Sequence, residues 1–235
     1  MRITRLSALV GLVALLSPVL SMAEEDVVLV ELYTSQGCSS CPPADRNLAD
    51  LKSLEGVLPL SLHVDYWDYL GWRDTFGRRK HTERQFAYRD LMGARVVYTP
   101  QMIVHGTRDV PGYRPGEIKS AIAEIAAQDS RARIAISEEG GILRATISAP
   151  ADDGPCTIYV AKFTNEATVT IERGENKGRS ITYHNVVDEI MLVGPWRGGA
   201  GREIDLPRPS QGEGIVVWIQ EDKTGRIVTA SFING

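Results

Sequence analysis

The chain has 235 residues, of which 26 are basic and 30 are acidic, so its formal net charge at pH 7 is −4. This excess of acids excludes the broad basic surface that is typical of nucleic-acid-binding proteins. Hydrophobic residues make up 43% of the chain, enough to bury a core, and the length suits one large domain or two of ordinary size.

The first residues have the pattern of a secretory signal peptide. Arg2 and Arg5 give a positive start, residues 6–20 are almost entirely apolar, and residues 21–23 (Ser-Met-Ala) form a small-x-small cleavage site. An uncleaved anchor is the alternative, although the apolar segment is shorter than the roughly 20 residues that a spanning helix needs. We therefore predict a signal peptide over 1–23 and a periplasmic or secreted mature protein without a membrane span, in a compartment where disulfides are exchanged.

Cys38 and Cys41 form a C-x-x-C motif between a predicted strand and a predicted helix. Residues 27–33 (Val-Val-Leu-Val-Glu-Leu-Tyr) are typical of a strand buried on both faces, and Pro42 suits the first turn of a helix. A helix start favours a thiolate through its dipole and its free N–H groups. The alternatives are half of a zinc site, for which no second ligand pair follows at finger spacing, and an inert structural disulfide.

A second strand and a long insert follow the C-x-x-C helix. Residues 57–64 alternate enough to form a strand, which we expect to lie parallel to the first. The insert covers about residues 65–95, begins with an aromatic cluster and ends with a helix from about Thr82 to Gly93. Such an insert forms either a substrate wall or a local core that stabilises a long loop.

A strand led by proline and a final helix complete the first predicted domain, residues 24–129. Pro100 lies within the apolar run 96–106, and because proline removes a ladder donor it should stand at the start of the strand. The sequence leaves the isomer of the Thr99–Pro100 bond open. Residues 117–128 carry isoleucines at helical spacing and predict an amphipathic helix.

From about position 130 the pattern changes to short alternating runs separated by turn signals, which predicts an all-β, sandwich-like domain over 130–235. The predicted strands cover residues 133–137, 142–148, 157–163, 167–172, 180–193, 214–220 and 226–233. Residues 174–179 are typical of a hairpin connection, and residues 194–201 of a glycine-rich loop. A structural or partner-binding role is expected of this domain.

The order strand, C-x-x-C helix, strand, insert, proline-led strand and helix resembles the thioredoxin fold. Four segments also look like the secreted bacterial family known as domain of unknown function number 1223. They are residues 31–45 (Glu-Leu-Tyr-Thr-Ser-Gln-Gly-Cys-Ser-Ser-Cys-Pro-Pro-Ala-Asp), the block 65–72, residues 173–176 (Arg-Gly-Glu-Asn) and residues 182–187 (Thr-Tyr-His-Asn-Val-Val). The resemblance implies an α/β thioredoxin-like domain, a mixed sheet with flanking helices, followed by the antiparallel sandwich-like domain. Only the thioredoxin likeness implies a reaction, thiol–disulfide exchange with a protein or small-thiol partner.

The predicted site has two thiols and one acid. Cys38, at the helix tip, is expected to attack a partner disulfide, and the shielded Cys41 to resolve the mixed disulfide. Glu31 is the lone ionisable residue in its strand, and thioredoxin-like proteins often bury an acid near that offset, so it is a candidate proton relay to Cys41. The alternative is an acid that reaches solvent or a lysine.

Substrate-binding residues are predicted from the same resemblance. Pro100 resembles the residue of the loop that faces the C-x-x-C motif, where the neighbouring backbone pairs with an extended substrate; the alternative is a proline that merely starts a strand. The other candidates are Thr99 and Gln101 beside it and the aromatic residues Tyr66, Trp67 and Trp72 of the insert.

Two other classes of function stay open. Cys38 and Cys41 could hold Cu(I), with Met102, His105 or Cys156 as a third donor, because soft sulfur ligands select that ion. The chain could instead be a partner-binding module with a structural disulfide. No cofactor or resident metal is otherwise expected, and Cys156 is interpreted as a buried unreactive thiol or as a relay to Cys38.

Overall fold

Eleven strands and three α-helices make up the part of the chain that the computed structural model describes, residues 26–128, 130, 132–149 and 154–235. The helices are α1 (Pro42–Leu51), α2 (Arg79–Leu91) and α3 (Pro115–Ala126), with one short 3-10 helix at Asp68–Leu70. The strands are β1 (Val28–Thr34), β2 (Val57–His63), β3 (Gln101–Val104), β4 (Arg108–Pro111), β5 (Arg133–Glu139), β6 (Ile142–Ala149), β7 (Cys156–Thr170), β8 (Ser180–Trp196), β9 (Gly199–Leu206), β10 (Glu213–Glu221) and β11 (Ile227–Asn234). The predicted signal peptide lies outside the described residues.

Eight strands form one mixed sheet in the order β11-β10-β7-β8-β2-β1-β3-β4. β1 and β2 run parallel and are buried along their whole length, as expected of continuous apolar runs joined by a crossover helix. β3 pairs antiparallel with the other side of β1, and β4 pairs antiparallel with β3. The carboxyl ends of β1 and β2 therefore meet at one edge, from which the C-x-x-C loop emerges.

Alternate residues of β1 face two different cores. Val30 and Leu32 pack under α1 and α3, whereas Leu29 and Tyr33 face the opposite core together with Tyr88 of α2. The distal strands curl back over this second core. The N–H of Val27 donates to the carbonyl of Ala230 at 3.1 Å, which brings β11 close to the start of β1.

A second, antiparallel sheet of three strands, in the order β5-β6-β9, covers the distal half of the large sheet. Its inward side chains, such as Ile136 and Ile147, share a core with Ile158 and Ile219 from the large sheet. The mixed sheet with flanking helices and the additional antiparallel sheet are the part of the predicted fold class that the structure confirms.

The strands after position 130 differ from the prediction in how they join the rest. β7, β8, β10 and β11 extend the first sheet, because β8 lies parallel to β2 with Val186 opposite Ser61 and so satisfies the edge of β2. The division into domains at position 130 stays a prediction.

Three local predictions need correction. β7 is one strand of 15 residues where two runs were predicted, and β9 begins at Gly199, inside the predicted glycine-rich loop. α2 begins at Arg79, earlier than the predicted Thr82. Among the described residues, no helix has the length and apolar character needed to cross a membrane.

Candidate functional site

Cys38 and Cys41 are joined by a disulfide directly before the first turn of α1. Their Cα atoms lie 5.4 Å apart. Cys38 is 4% exposed and Cys41 is fully buried, whereas Ser39 and Ser40 between them are exposed. The less buried sulfur is therefore the one at the tip of the loop, which is the arrangement expected of an attacking and a resolving thiol, although those roles stay predictions.

The β7–β8 connection, residues 171–179, contacts this loop although it lies more than 130 positions later in the chain. The side-chain amide of Asn176 donates to the carbonyls of Gln36 at 3.0 Å and Cys38 at 2.9 Å. The N–H of Ser39 donates to the carboxylate of Glu175 at 3.3 Å. Arg179 donates to the side-chain oxygen of Asn176 at 3.0 Å, which orients the amide. This segment carries one of the motifs that resemble the family, but the sequence predicts no role for it in the site.

The aromatic cluster at the start of the insert packs against another side of the C-x-x-C loop. The indole N–H of Trp67 donates to the hydroxyl of Thr99 at 2.8 Å, and that of Trp72 donates to the side chain of Gln36 at 2.8 Å. A Cβ atom on Gly37 would lie 3.3 Å from both the Cβ and the carbonyl oxygen of Trp67, so the loop and the insert approach closely here.

Two other predicted substrate-binding residues connect to the site through α2. The hydroxyl of Tyr66 donates to Gln85 at 3.1 Å, and Gln85 in turn donates to Gln101 at 2.8 Å. Gln101 is buried. Of the predicted residues, Trp67 and Trp72 thus lie against the loop and Thr99 binds Trp67, while Tyr66 and Gln101 belong to a supporting hydrogen-bond network.

Pro100 follows a cis peptide bond and packs beside α1. Its carbonyl accepts a hydrogen bond from the N–H of Gly112 at 3.0 Å. A Cβ atom on Gly112 would lie 2.7 Å from the Cβ of Ala44 and 3.1 Å from that of Pro100. Glycine at this position therefore lets the proline loop and the helix that follows Cys41 approach each other.

Asp45 is a buried acid of α1 for which the sequence predicts no role in the site. It lies one turn after Cys41, and residues four apart share one face of a helix, so Asp45 is on the side of α1 where Cys41 lies. Burial raises the pKa of Asp45 to about 7, although His63 and a 2.8 Å hydrogen bond from Thr34 act in the opposite direction. Such a carboxyl can hold or release a proton near neutral pH.

His63 and Asp74 form a buried pair next to Asp45. The ring nitrogen Nδ1 of His63 lies 2.8 Å from a carboxylate oxygen of Asp74, which also accepts the N–H of Gln36 at 2.7 Å. Burial raises the pKa of Asp74. The charge of His63 and these hydrogen bonds lower it by more, so the pKa of Asp74 is below its ordinary value. The ring of Tyr183 packs edge-on against His63 at 4.7 Å.

Three buried polar atoms of this cluster have no hydrogen-bond partner among the described residues. They are Oδ2 of Asp45, Nε2 of His63 and the hydroxyl of Tyr183. Buried polar groups without a protein partner are commonly bound by internal water. The face of the sheet under α1 is therefore polar at the end where the disulfide lies.

Glu31 is buried, but on the other face of β1. Its carboxylate accepts hydrogen bonds from Arg84 at 2.6 Å and from the hydroxyl of Tyr88 at 2.5 Å. The guanidinium of Arg84 also lies over the rings of Tyr159 and Trp218, at 5.4 and 5.1 Å from their centres. Glu31 thus pairs with a buried arginine rather than with solvent or a lysine, and its proposed proton relay to Cys41 stays a prediction.

The third donors considered for Cu(I) lie in other parts of the fold. His105 accepts a hydrogen bond from the N–H of Leu29, near the start of β1. With a rise of roughly 3.3 Å per residue, Leu29 is about 17 Å from Thr34, the end of β1 next to the C-x-x-C loop. Cys156 is buried where β7 pairs with Trp196 of β8. Met102 is buried in the core under α1 and α3. The dithiol itself is oxidised in this structure.

Comparison with known proteins gives one family and two similar structures. The family model described as "Protein of unknown function (DUF1223)" matches residues 29–220. A crystal structure of an Agrobacterium tumefaciens protein, a structural genomics target, is 33% identical with a TM-score of 0.76, covering 91% of this chain and 96% of that one. HBP35 of Porphyromonas gingivalis is similar in fold, with 12% identity and a TM-score of 0.64 over 90% of this chain and 76% of its own. A search of curated proteins gives no match.

Proposed function

The chain belongs to the family of proteins of unknown function called DUF1223, whose name assigns no reaction, and we propose from its own site that it is a thiol–disulfide oxidoreductase. The observation that carries the proposal is the disulfide at the start of α1, with the less buried Cys38 facing the loop and the buried Cys41 behind it. The proposed location is the periplasm or the extracellular medium.

A thioredoxin-like arrangement of the first half supports this reaction. β1, α1 and β2 form a parallel strand–helix–strand unit, β3 and β4 follow as an antiparallel pair, and α3 packs beside α1 on the same face. Pro100 lies directly before β3, and both it and Ala44 of the first turn of α1 lie close to Gly112. This placement is what the proposed contact between a substrate backbone and the Thr99–Pro100 loop requires.

In the direction of substrate reduction, the Cys38 thiolate attacks one sulfur of a substrate disulfide and the other substrate sulfur leaves as a thiolate. The Cys41 thiolate then attacks Cys38, forming the intramolecular disulfide and releasing the second substrate thiolate. Two electrons pass from the protein dithiol to the substrate, and the same steps in reverse oxidise a substrate dithiol. Asp45 is the proposed acceptor of the proton that Cys41 loses.

Turnover with the cysteine variants tests this proposal. With metal excluded, wild-type protein should catalyse insulin reduction or oxidative refolding, and Cys38→Ser should abolish catalysis. Cys156→Ala is the matched control, because that cysteine lies in another core, and it should retain catalysis.

Equal activity of wild type and Cys38→Ser would overturn the proposal and favour a partner-binding module. Absence of turnover combined with tight Cu(I) competition by the reduced protein would favour the copper alternative.

A further inference from the structure

A groove of about 770 Å³ runs beside the disulfide, between α1 and the start of β8. It begins at Ser39, the residue next to Cys38, and passes Pro43 and Ala49 of α1. Ile181 lies on the opposite wall. This groove is on the other side of α1 from Gly112 and Pro100, and the predicted substrate-binding residues do not line it.

The fixed charges of the groove are positive. Arg46 extends from α1 and Arg179 from the β7–β8 connection, and both are exposed. Arg179 is held by Asn176, the same side chain that binds the carbonyl of Cys38, so its position is coupled to that of the disulfide loop. His184 also lines the groove, and its pKa is lowered by burial and, to a smaller extent, by the charge of Lys52. The positive charge of the groove therefore comes from the two arginines.

Acids are few inside the groove, and two carboxylates lie just outside it. Among the groove-lining residues, all of which the structure describes, Asp45 is the one acid, and it is buried with its pKa raised to about 7. Its Oδ2 atom has no hydrogen-bond partner among the described residues. Glu175 and Glu166 lie nearby, the first bound to the N–H of Ser39 and the second 3.7 Å from His184.

The start of α1 does not supply the backbone donors that a helix terminus usually offers to an anion. Pro42 and Pro43 have no N–H, and the N–H groups of Ala44 and Asp45 donate to the carbonyl of Cys41. An anion in this groove would therefore be held by side chains, and guanidinium groups are suited to carboxylates because of their paired N–H donors.

We propose that this groove selects disulfide substrates that carry a carboxylate close to the sulfur attacked by Cys38. The carboxylate lies between Arg46 and Arg179, and the short aliphatic part of the substrate lies against Pro43 and Ile181. The inference rests on the proposed function, since it names the substrate class for the same disulfide. Two sources share this chemistry, a small carboxylate-bearing thiol and an acidic residue beside a cysteine in a polypeptide.

Three small disulfides of similar length but different charge test the inference. They are 3,3′-dithiodipropionate with two carboxylates, 2-hydroxyethyl disulfide without charge, and cystamine with two ammonium groups. The rate at which each oxidises the reduced protein is divided by its rate with free dithiothreitol, which removes differences in intrinsic reactivity. We expect the normalised rate of the dianion to exceed that of the neutral compound by about tenfold, equivalent to about 1.4 kcal/mol, and cystamine to be slowest.

Variants locate the preference in the groove. Arg46→Gln should reduce the advantage of the dianion severalfold, and Arg46→Glu should reverse the order of dianion and cystamine. Arg197→Gln is the matched control, because this exposed arginine follows the far end of β8, and it should leave the order unchanged. High salt should reduce the advantage in wild type. Disulfide-linked peptides with Asp or Asn beside the cysteine form a second series, and a preference for Asp there assigns a polypeptide source.

The outcomes separate the two proposals. Equal normalised rates across both the small and the peptide series, or a charge preference that Arg46→Glu leaves intact, would overturn the groove as a selectivity site while leaving the reaction in place. Oxidation of the reduced protein no faster than that of an ordinary thiol, with every disulfide, would overturn the proposed reaction itself.

Discussion

The side chain of Asn176 donates a hydrogen bond to the carbonyl of Cys38, 138 positions earlier in the chain. Its second bond reaches the carbonyl of Gln36, and both contacts are buried. One amide from the β7–β8 connection therefore binds two backbone acceptors of the loop that carries Cys38. The conformation of the candidate site depends on a segment outside the first predicted domain.

Replacing Asn176 with Ala should both destabilise the protein and change the reactivity of Cys38. The carbonyl of Gln36 loses its donor, which costs about 1–3 kcal/mol for a buried group left unpaired, and that of Cys38 keeps only the N–H of Cys41 at 3.2 Å. Urea unfolding measures the loss, and iodoacetamide labelling of the reduced protein measures the reactivity. Asn185→Ala is the control, because Asn185 donates to the buried carbonyl of Pro59 at 2.8 Å. It should lower stability without changing the labelling of Cys38; an equal change in both variants would contradict a specific role for Asn176.

Asp45→Asn should stabilise the protein increasingly as the pH rises. The carboxyl of Asp45 loses its proton near pH 4 in the unfolded chain but near pH 7 in the folded protein, so the unfolded state binds fewer protons between these values and wild-type stability falls as pH rises. From pH 4 to pH 8 the difference between variant and wild type should grow by roughly 4 kcal/mol in favour of the variant.

Unfolding by urea at a series of pH values checks the Asp45 prediction. Asp50→Asn provides the comparison, since Asp50 is an exposed acid on the same helix. A pH-independent difference for Asp45→Asn would show that this carboxyl titrates normally in the folded protein.

Glu31→Gln should cost stability because it leaves the buried guanidinium of Arg84 without its counter-charge. Breaking one side of a buried ion pair costs about 3–5 kcal/mol. Glu83→Gln removes an exposed carboxylate that also pairs with an arginine, Arg79, and should change stability little. Similar unfolding midpoints for the two variants would contradict the prediction. The pH dependence of disulfide exchange in Glu31→Gln tests the predicted proton relay, which requires a change there.

Gly112→Ala should separate the proline loop from α1. The added methyl group would approach the Cβ of Ala44 to 2.7 Å, so backbone must move, and overpacking of this kind costs about 1–3 kcal/mol. Gly116→Ala is the matched control: its Cβ meets no atom within 4 Å and it lies in the first turn of α3, where alanine is the better helix former. Thermal unfolding should rank Gly112→Ala below wild type and Gly116→Ala at or above it.

The elements around the disulfide were predictable because their signals are local. The apolar run before Cys38, the prolines after Cys41 and the proline at the start of β3 each act within a few residues. Asp45 also had a local signal that was passed over. It lies three residues before Leu48 and therefore on the buried side of α1, which the helical period alone indicates.

The remaining parts of the site depend on contacts between distant segments. The pattern of β8 is that of any strand with alternating exposure and does not specify β2 as its neighbour. Burial of Glu31 is one of the two alternatives that the sequence leaves open, and its partner Arg84 comes from α2, whose charged sequence gives no indication of which side faces the core. The hydrogen bond between Asn176 and Cys38 could not be predicted for the same reason, because the β7–β8 connection reaches the C-x-x-C loop only once β8 has paired with β2.

The pairing of β8 with β2 limits how the chain can be shortened. A fragment that ends near position 129 would keep both site cysteines but lose β8, and β2 would then present an open edge with apolar side chains on both faces. Such edges pair readily with a second copy. We therefore expect such a fragment to aggregate, because the first half needs the later strands to cover the edge of β2.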